Sequence, residues 1–180
     1  MATWSSRGLR GSVFEENINA SNEEYRKLKL GLVQKIPTPI TPVEIDDDRH
    51  ITLAYFEQKS TVDYIGVIQS YPVCFDAKEC SADSFSLSNV HEHQFNFMKD
   101  FEGQGGISFL LINFTKQEKI YYMRFAELSK FYKRAYEEEG PKSIKFSELD
   151  ENYFIGPKFS VQVHYLEGLN KDINEAERLD

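Results

Sequence analysis

Cysteine is scarce in this chain: Cys74 and Cys80 are the only two in 180 residues. Two cysteines cannot build a disulfide framework, and reduced thiols are the cytosolic default. Together with His91 and His93 they give the spacing C-x5-C-x10-H-x-H, which matches none of the usual structural zinc patterns. No apolar run approaches the ~20 residues that cross a bilayer, and the opening MATWSSRGLRGS has no apolar signal-peptide core. The expected protein is therefore cytoplasmic, with no membrane partner. Positive charge is also short, with 21 Lys and Arg against 29 Asp and Glu and a net charge of −8. That excludes a simple polybasic nucleic-acid binder, because phosphate contacts supply most non-specific affinity. It leaves a nuclease open, since carboxylates that hold a metal count as negative until the ion is bound.

What is present is globular: 41% hydrophobic and 14% aromatic residues, in a length suited to one domain. Residues 1–10 read as a mobile N-terminal arm, 11–168 as one domain, and 169–180 as an acidic tail. Helical spacing over Ser12 to Leu30 predicts a first helix ended by Gly31. "LVQKI" reads as a short strand. "PTPITPVEIDDDRH" has three prolines within six residues, which forbids helix and disfavours a central strand. Together with the alternating "ITLAYF", this segment (37–55) is expected to project as a long hairpin.

A second hairpin follows, with strands at Tyr64–Ile68 and Val73–Glu79 and a turn over Gln69–Pro72. Asn89 is expected to cap a helix from Val90 to Glu102. "ISFLLINF" is apolar throughout, like a strand buried on both faces, and "KIYYMRF" returns beside it. A helix over Ala126–Glu139 and a strand-like "FSVQVHYL" complete the pattern. The order implies an α/β protein with helices on both faces of a mixed sheet.

Charge inside the second hairpin carries the chemical signal. Alternation puts Asp76 and Lys78 on one strand face. Ala77 points away, with its carbonyl free to turn toward the site. A turn centred between Ser70 and Tyr71 would set Asp63 about opposite Lys78. Two carboxylates and a carbonyl are hard oxygen ligands suited to Mg²⁺, and an adjacent ammonium can align water for attack on a phosphate. The triplet alone is weak. Glu57-Gln58-Lys59, preceded by Asp46-Asp47-Asp48, fits the same spacing.

Longer runs separate the two sets. "RGSVFEENINASNEEY", "KIPTPI", "AYFEQKSTVDYIGV", "FDAKE", "HEHQFNFM", "GGISFLLI" and "KSIKFSELDE" occur in order from about Arg10 to Leu166. In these runs the chain resembles the RecU-type Holliday junction resolvases. The resemblance implies a restriction-endonuclease-like three-layer α/β/α sandwich with a mixed central sheet and a protruding stalk, here residues 37–55. It implies a Mg²⁺-dependent homodimer, with Mn²⁺ substituting, that nicks opposed strands of a four-way DNA junction and has recombination proteins as possible partners.

Carried over, the resemblance makes Asp63 and Asp76 the metal carboxylates, with the Ala77 carbonyl beside them and Lys78 as catalytic lysine. Glu15 becomes an acid that holds outer-shell water or a second ion. Arg10, Lys35, Arg49, Lys59 and Gln94 are the DNA contacts it points to, with Arg7, Lys116 and Lys119 as further phosphate candidates. Asp76 stands where the family usually has glutamate, and the stalk is short and acidic. These two departures motivate two other readings: a nuclease for flapped or plain duplex DNA, and a catalytically silent branched-DNA binder of the same fold.

Overall fold

The structure is a computed structural model and describes residues 13–56 and 61–176. The elements run α1 (Val13–Lys27), β1 (Gly31–Lys35), β2 (Ile40–Ile45), β3 (Ile51–Phe56), β4 (Tyr64–Ile68), β5 (Tyr71–Cys80), β6 (Ser84–Ser86), α2 (Glu92–Gly103), β7 (Ile107–Phe114), β8 (Lys119–Arg124), α3 (Phe125–Tyr136), β9 (Ser143–Lys145), β10 (Phe154–Ile155) and α4 (Leu166–Ala176). Six strands form the central sheet in the order β1-β4-β5-β7-β8-β10. β5 and β7 are parallel and the other neighbours antiparallel. The mixed α/β architecture matches the expected class.

One sheet face carries a row of stacked rings. Tyr64 lies 4.7 Å from Phe75, Phe75 lies 4.6 Å from Phe109, and Phe109 lies 4.4 Å from Tyr122, centroid to centroid. α1 and α4 close over this row. Tyr25 of α1 meets Tyr165 edge-on, and the Tyr122 hydroxyl donates to Asp172 of α4. These aromatics are core, since burying each removes a large apolar surface from water. The opposite face is covered by α2 and α3. Ser108 Oγ donates to the Met98 carbonyl of α2, and the Tyr121 hydroxyl donates to Glu127 of α3. The three layers are thus helices, sheet, helices.

Several local expectations shift. α1 is closed by Lys29 in the left-handed region (φ 58°) with Leu30 N–H on the Tyr25 carbonyl, whereas Gly31 already belongs to β1. His91, not Asn89, caps α2, because Leu87–Asn89 form a separate 3₁₀ turn. "FSVQVHYL" forms no strand; a tight turn bridges Lys158 and Val161, and the chain then enters α4. Leu169 of α4 is buried and Gly168 sits flat against Tyr122. The domain boundary drawn at residue 168 therefore falls inside a packed helix.

β2 and β3 pair only with each other. This two-stranded ribbon is the expected stalk, and every residue of β3 is exposed. At its tip Asp46 accepts from the His50 backbone N–H at 2.8 Å and lies 3.1 Å from its Nδ1, while Arg49 holds φ 68°.

Candidate active site

Two tight features of the β4–β5 hairpin build the site. The turn is only Gln69 and Ser70, both at positive φ (48° and 76°), as a two-residue hairpin turn with matching twist requires. Ile68 therefore pairs with Tyr71, and Tyr64 with Phe75. This register differs from the expected one by two residues. Asp63 sits opposite Asp76 rather than opposite Lys78.

The two carboxylates are locked by backbone as well as by each other. Asp63 N–H donates to Asp76 Oδ1 at 3.1 Å, and Ala77 N–H donates to Asp63 Oδ2 at 3.1 Å. The N–H and C=O of one strand residue point the same way, so the Ala77 carbonyl also faces the Asp63 edge, where the β4 ladder has ended. Asp76 is fully buried. Lys78 Nζ approaches Asp76 Oδ2 at 2.5 Å. Gln94, read from the resemblance as a DNA contact, is 6% exposed. Its Nε2 donates to Asp76 Oδ2 at 2.8 Å, and its Oε1 accepts from Lys78 Nζ at 3.4 Å and from His91 N–H at 3.2 Å. The α2 cap thereby fastens the helix start to the carboxylate–lysine pair.

Electrostatics show the strain of this packing. Asp63 is pushed up to about 7, first by burial and then by the hydrogen bond and like charge of Asp76; the Ala77 N–H and Lys78 oppose the shift. Among the described residues no three His, Cys, Asp or Glu side chains form a metal cage. The donors available to an ion are the two carboxylates and the Ala77 carbonyl, since the Gln94 amide oxygen is taken by Lys78 and the His91 N–H. Such oxygen donors suit a hard divalent ion that keeps several waters and do not suit a closed zinc site. The cysteines point elsewhere: Cys74 is buried against Ser108 Oγ at 3.3 Å, and Cys80 lies near the Ala82 and Ser84 carbonyls.

The remaining sequence candidates scatter. Glu15 pairs with Lys35 Nζ at 2.9 Å on the α1 side of the sheet. Its field, with those of Asp63 and Asp76, helps burial to keep the Tyr64 phenol protonated. Arg49 stands at the stalk tip, and Lys116 pairs with Asp83. Arg7, Arg10 and Lys59 lie outside the described residues, as does Glu57 of the competing triplet. The sequence allows Gln94 to face the active site or DNA or to cap its helix; here it caps the helix and also binds Asp76, and its place three residues after His91 is a capping-box spacing.

A mixed sheet sandwiched by helices, with paired carboxylates and a lysine where a hairpin ends, defines a class of α/β proteins with a carboxylate–lysine cluster on the sheet. Within that class, the family model described as "Recombination protein U" (RecU) matches residues 9–171. A relative from Lactococcus lactis subsp. lactis (strain IL1403), "Holliday junction resolvase RecU", is 41% identical over 170 residues, covering 91% of this chain and 78% of the relative. Its namesake from Pediococcus pentosaceus is 40% identical, covering 92% and 85%. A solved structure, the Holliday junction resolvase Hjc of Archaeoglobus fulgidus, superposes with a TM-score of 0.40 at 8% identity, covering 64% of this chain and 78% of Hjc. The chain belongs to the RecU family.

Proposed function

We propose that this chain is a Mg²⁺-dependent endonuclease that resolves four-way DNA junctions by paired, symmetric nicks in recombination and repair, acting as a homodimer in the cytoplasm. The observation that carries the reading is the Asp63–Asp76–Lys78 centre at the end of the β4–β5 hairpin, in a chain of the RecU family. Among the described residues no helix is long and apolar enough to cross a membrane.

Asp63, Asp76 and the Ala77 carbonyl are the ion's protein ligands in this reading, and Mn²⁺ substitutes. A bound divalent ion supplies charge neutralisation for the phosphate and a more acidic water. With the ion bound, Asp63 would hold it as a carboxylate, the proton that burial favours having gone to solvent. Lys78 leaves Asp76 Oδ2 and turns its Nζ to the attacking water, holding it in line with the scissile phosphorus. Gln94 keeps Asp76 in place while Lys78 moves, because its amide binds both. The shorter reach of Asp76, where the family usually has glutamate, is offset by this buried brace. In this reading Glu15 orients outer-shell water, and Lys35, its ion-pair partner, meets a phosphate. Arg10, Arg49 and Lys59 are the further DNA contacts of this reading.

The test is a nicking assay on synthetic four-way junctions with Mg²⁺, run beside linear duplex at equal salt. Wild type is expected to cut the junction in symmetric pairs. Equal rates for wild type, Asp63→Asn and Lys78→Ala would refute the assignment.

A further inference from the structure

His91 and His93 are left unused by the carboxylate–lysine centre beside them. Among the described residues no cysteine, histidine or acid joins them in a metal cage, and both cysteines are buried. The two imidazole rings lie 5.5 Å apart, centroid to centroid, and within 11° of parallel. With Glu92 and Asn96 they line an open groove of about 410 Å³ at the start of α2.

The helix turn fixes where the pair stands. Gln94 points down to Asp76. Phe95, about 100° further round the helix, points to α3, where it stacks on Tyr132 at 3.9 Å. α3 lies over β7 and β8, and α2 over β5 and β7. His93, about 100° the other way from Gln94, therefore stands on the β4 side, toward Asp63. One amide oxygen, Gln94 Oε1, accepts from the His91 N–H at 3.2 Å and from Lys78 Nζ at 3.4 Å. The His91 carbonyl accepts from the Gln94 and Phe95 N–H groups at 2.9 and 3.0 Å. These cap bonds use the His91 backbone and not its ring.

We propose that His91 and His93 grip the phosphate next to the scissile one, each donating an imidazole N–H to one of its two free oxygens. The proposal rests on the resolvase reading and deepens it, by giving the cleaved strand a contact outside the ion centre. A strand advances ~3.4 Å along the duplex axis per nucleotide, so a strand with one phosphate before Lys78 carries the next past His91. Rings 5.5 Å apart bracket a single phosphate, because each N–H···O bond spans ~2.9 Å. The residue type fits the place. Another permanent cation here would compete with Lys78 for Asp76 and repel a divalent ion, whereas neutral imidazole donates an N–H without charge. The positive end of the α2 dipole adds to the attraction. Glu92, the acid of the groove, lies on the α3 side, where its field adds to burial and to Tyr136 in holding the Tyr132 phenol protonated.

The experiment is single-turnover nicking of synthetic four-way junctions over a range of protein concentrations. It compares full-length wild type, the double variant with His91→Ala and His93→Ala, and the single variant His91→Asp, with melting curves for each. The cleaved strand carries, one position at a time around the branch point, a neutral methylphosphonate in place of a phosphate. The double variant is expected to need about 10–100-fold more protein for half-maximal rate, the range for hydrogen bonds to a charged group. Its plateau rate stays at the wild-type level, as for a contact made equally in ground and transition states. One methylphosphonate, beside the nick, should weaken wild type by a similar factor and leave the double variant unmoved, because the contact it removes is already gone. His91→Asp separates this role from helix capping. Aspartate is among the strongest caps and suits a helix start, so melting holds or rises while half-saturation worsens at least ~10-fold.

The proposal is overturned if every methylphosphonate weakens wild type and the double variant alike, or if His91→Asp saturates as wild type does. It is also overturned if the double variant loses plateau rate at unchanged half-saturation. A wild type that cuts junctions with no coupled position would keep the resolvase reading and defeat this one. A wild type that shows the coupled position in binding, by fluorescence anisotropy, and never cuts would uphold the contact and defeat the resolvase reading.

Discussion

Replacing Asp63 with asparagine should abolish cleavage and yet stabilise the metal-free protein at alkaline pH. In the folded chain Asp63 is pushed from 3.8 to about 7 by burial and by Asp76. A raised carboxyl pKa means that the folded state holds a proton the unfolded chain releases. Stability from this group is therefore complete below about 4 and lost as pH rises through about 7. Three units correspond to an upper bound of ~4 kcal/mol at pH 8, and relaxation of Lys78 and entry of water reduce this to about 2 kcal/mol. Asparagine keeps an oxygen for the Ala77 N–H and offers an amide hydrogen to Asp76, with no charge to repel it. At 2–4 °C per kcal/mol for a chain this size, Asp63→Asn should melt about 4–8 °C above wild type at pH 8 in EDTA. At pH 5 the gap should shrink to roughly 0.4 of its value at pH 8, and it should close near pH 4. Added Mn²⁺ should raise wild type at pH 8 and leave the variant unmoved. The assay is a set of melting curves from pH 5 to 9 with and without metal. A variant that melts with or below wild type at pH 8 in EDTA would refute the electrostatic account of the centre.

Further outcomes follow from the same geometry. Lys78→Ala should keep the fold and lose ~10²–10⁴-fold in single-turnover junction nicking, the range of a positioned proton-transfer group. Gln94→Leu should cost about 1–3 kcal/mol by leaving the His91 N–H unpaired and taking a donor from buried Asp76, and it should slow nicking; urea unfolding and the nicking gel read the two effects. Gly168→Ala places a Cβ 2.4 Å from Tyr122 Cγ, so overpacking of about 1–3 kcal/mol should outweigh the helix-propensity gain and appear as faster hydrogen exchange in α4. Burial raises Glu102 to about 7 and Asp172 to about 6 around one cavity beneath α4. Stability from both is present at low pH and fades as pH rises through 6–7, so Glu102→Gln should flatten the fall in melting temperature between pH 6 and 8.

The sequence made the elements and the site residue types legible for local reasons. The continuous apolar run Ile107–Phe114 marks a buried strand, and the alternation at Ile51–Tyr55 marks a strand by its period of two, although every residue of that strand is exposed. Asp76 and Lys78 share a face because strand geometry fixes residues two apart. Family runs then selected Asp63 over the competing acids near Glu57. Hairpin register was not legible, because Gln69 and Ser70 carry no glycine to signal a tight turn at positive φ. That register decides which acid faces Asp63.

Burial across the chain also lay beyond the sequence. Gln94, eighteen residues from Asp76, is expected from the resemblance as a DNA contact and is a buried brace. Residues 169–180 read as an acidic tail, yet α4 runs through Ala176 and buries Leu169. Sequence determined which groups sit on each strand, since alternation and composition are local properties. Only the tertiary structure decided which groups meet across strands and layers, because pKa shifts, hydrogen-bond partners and bare apolar faces depend on distances between residues far apart in the chain.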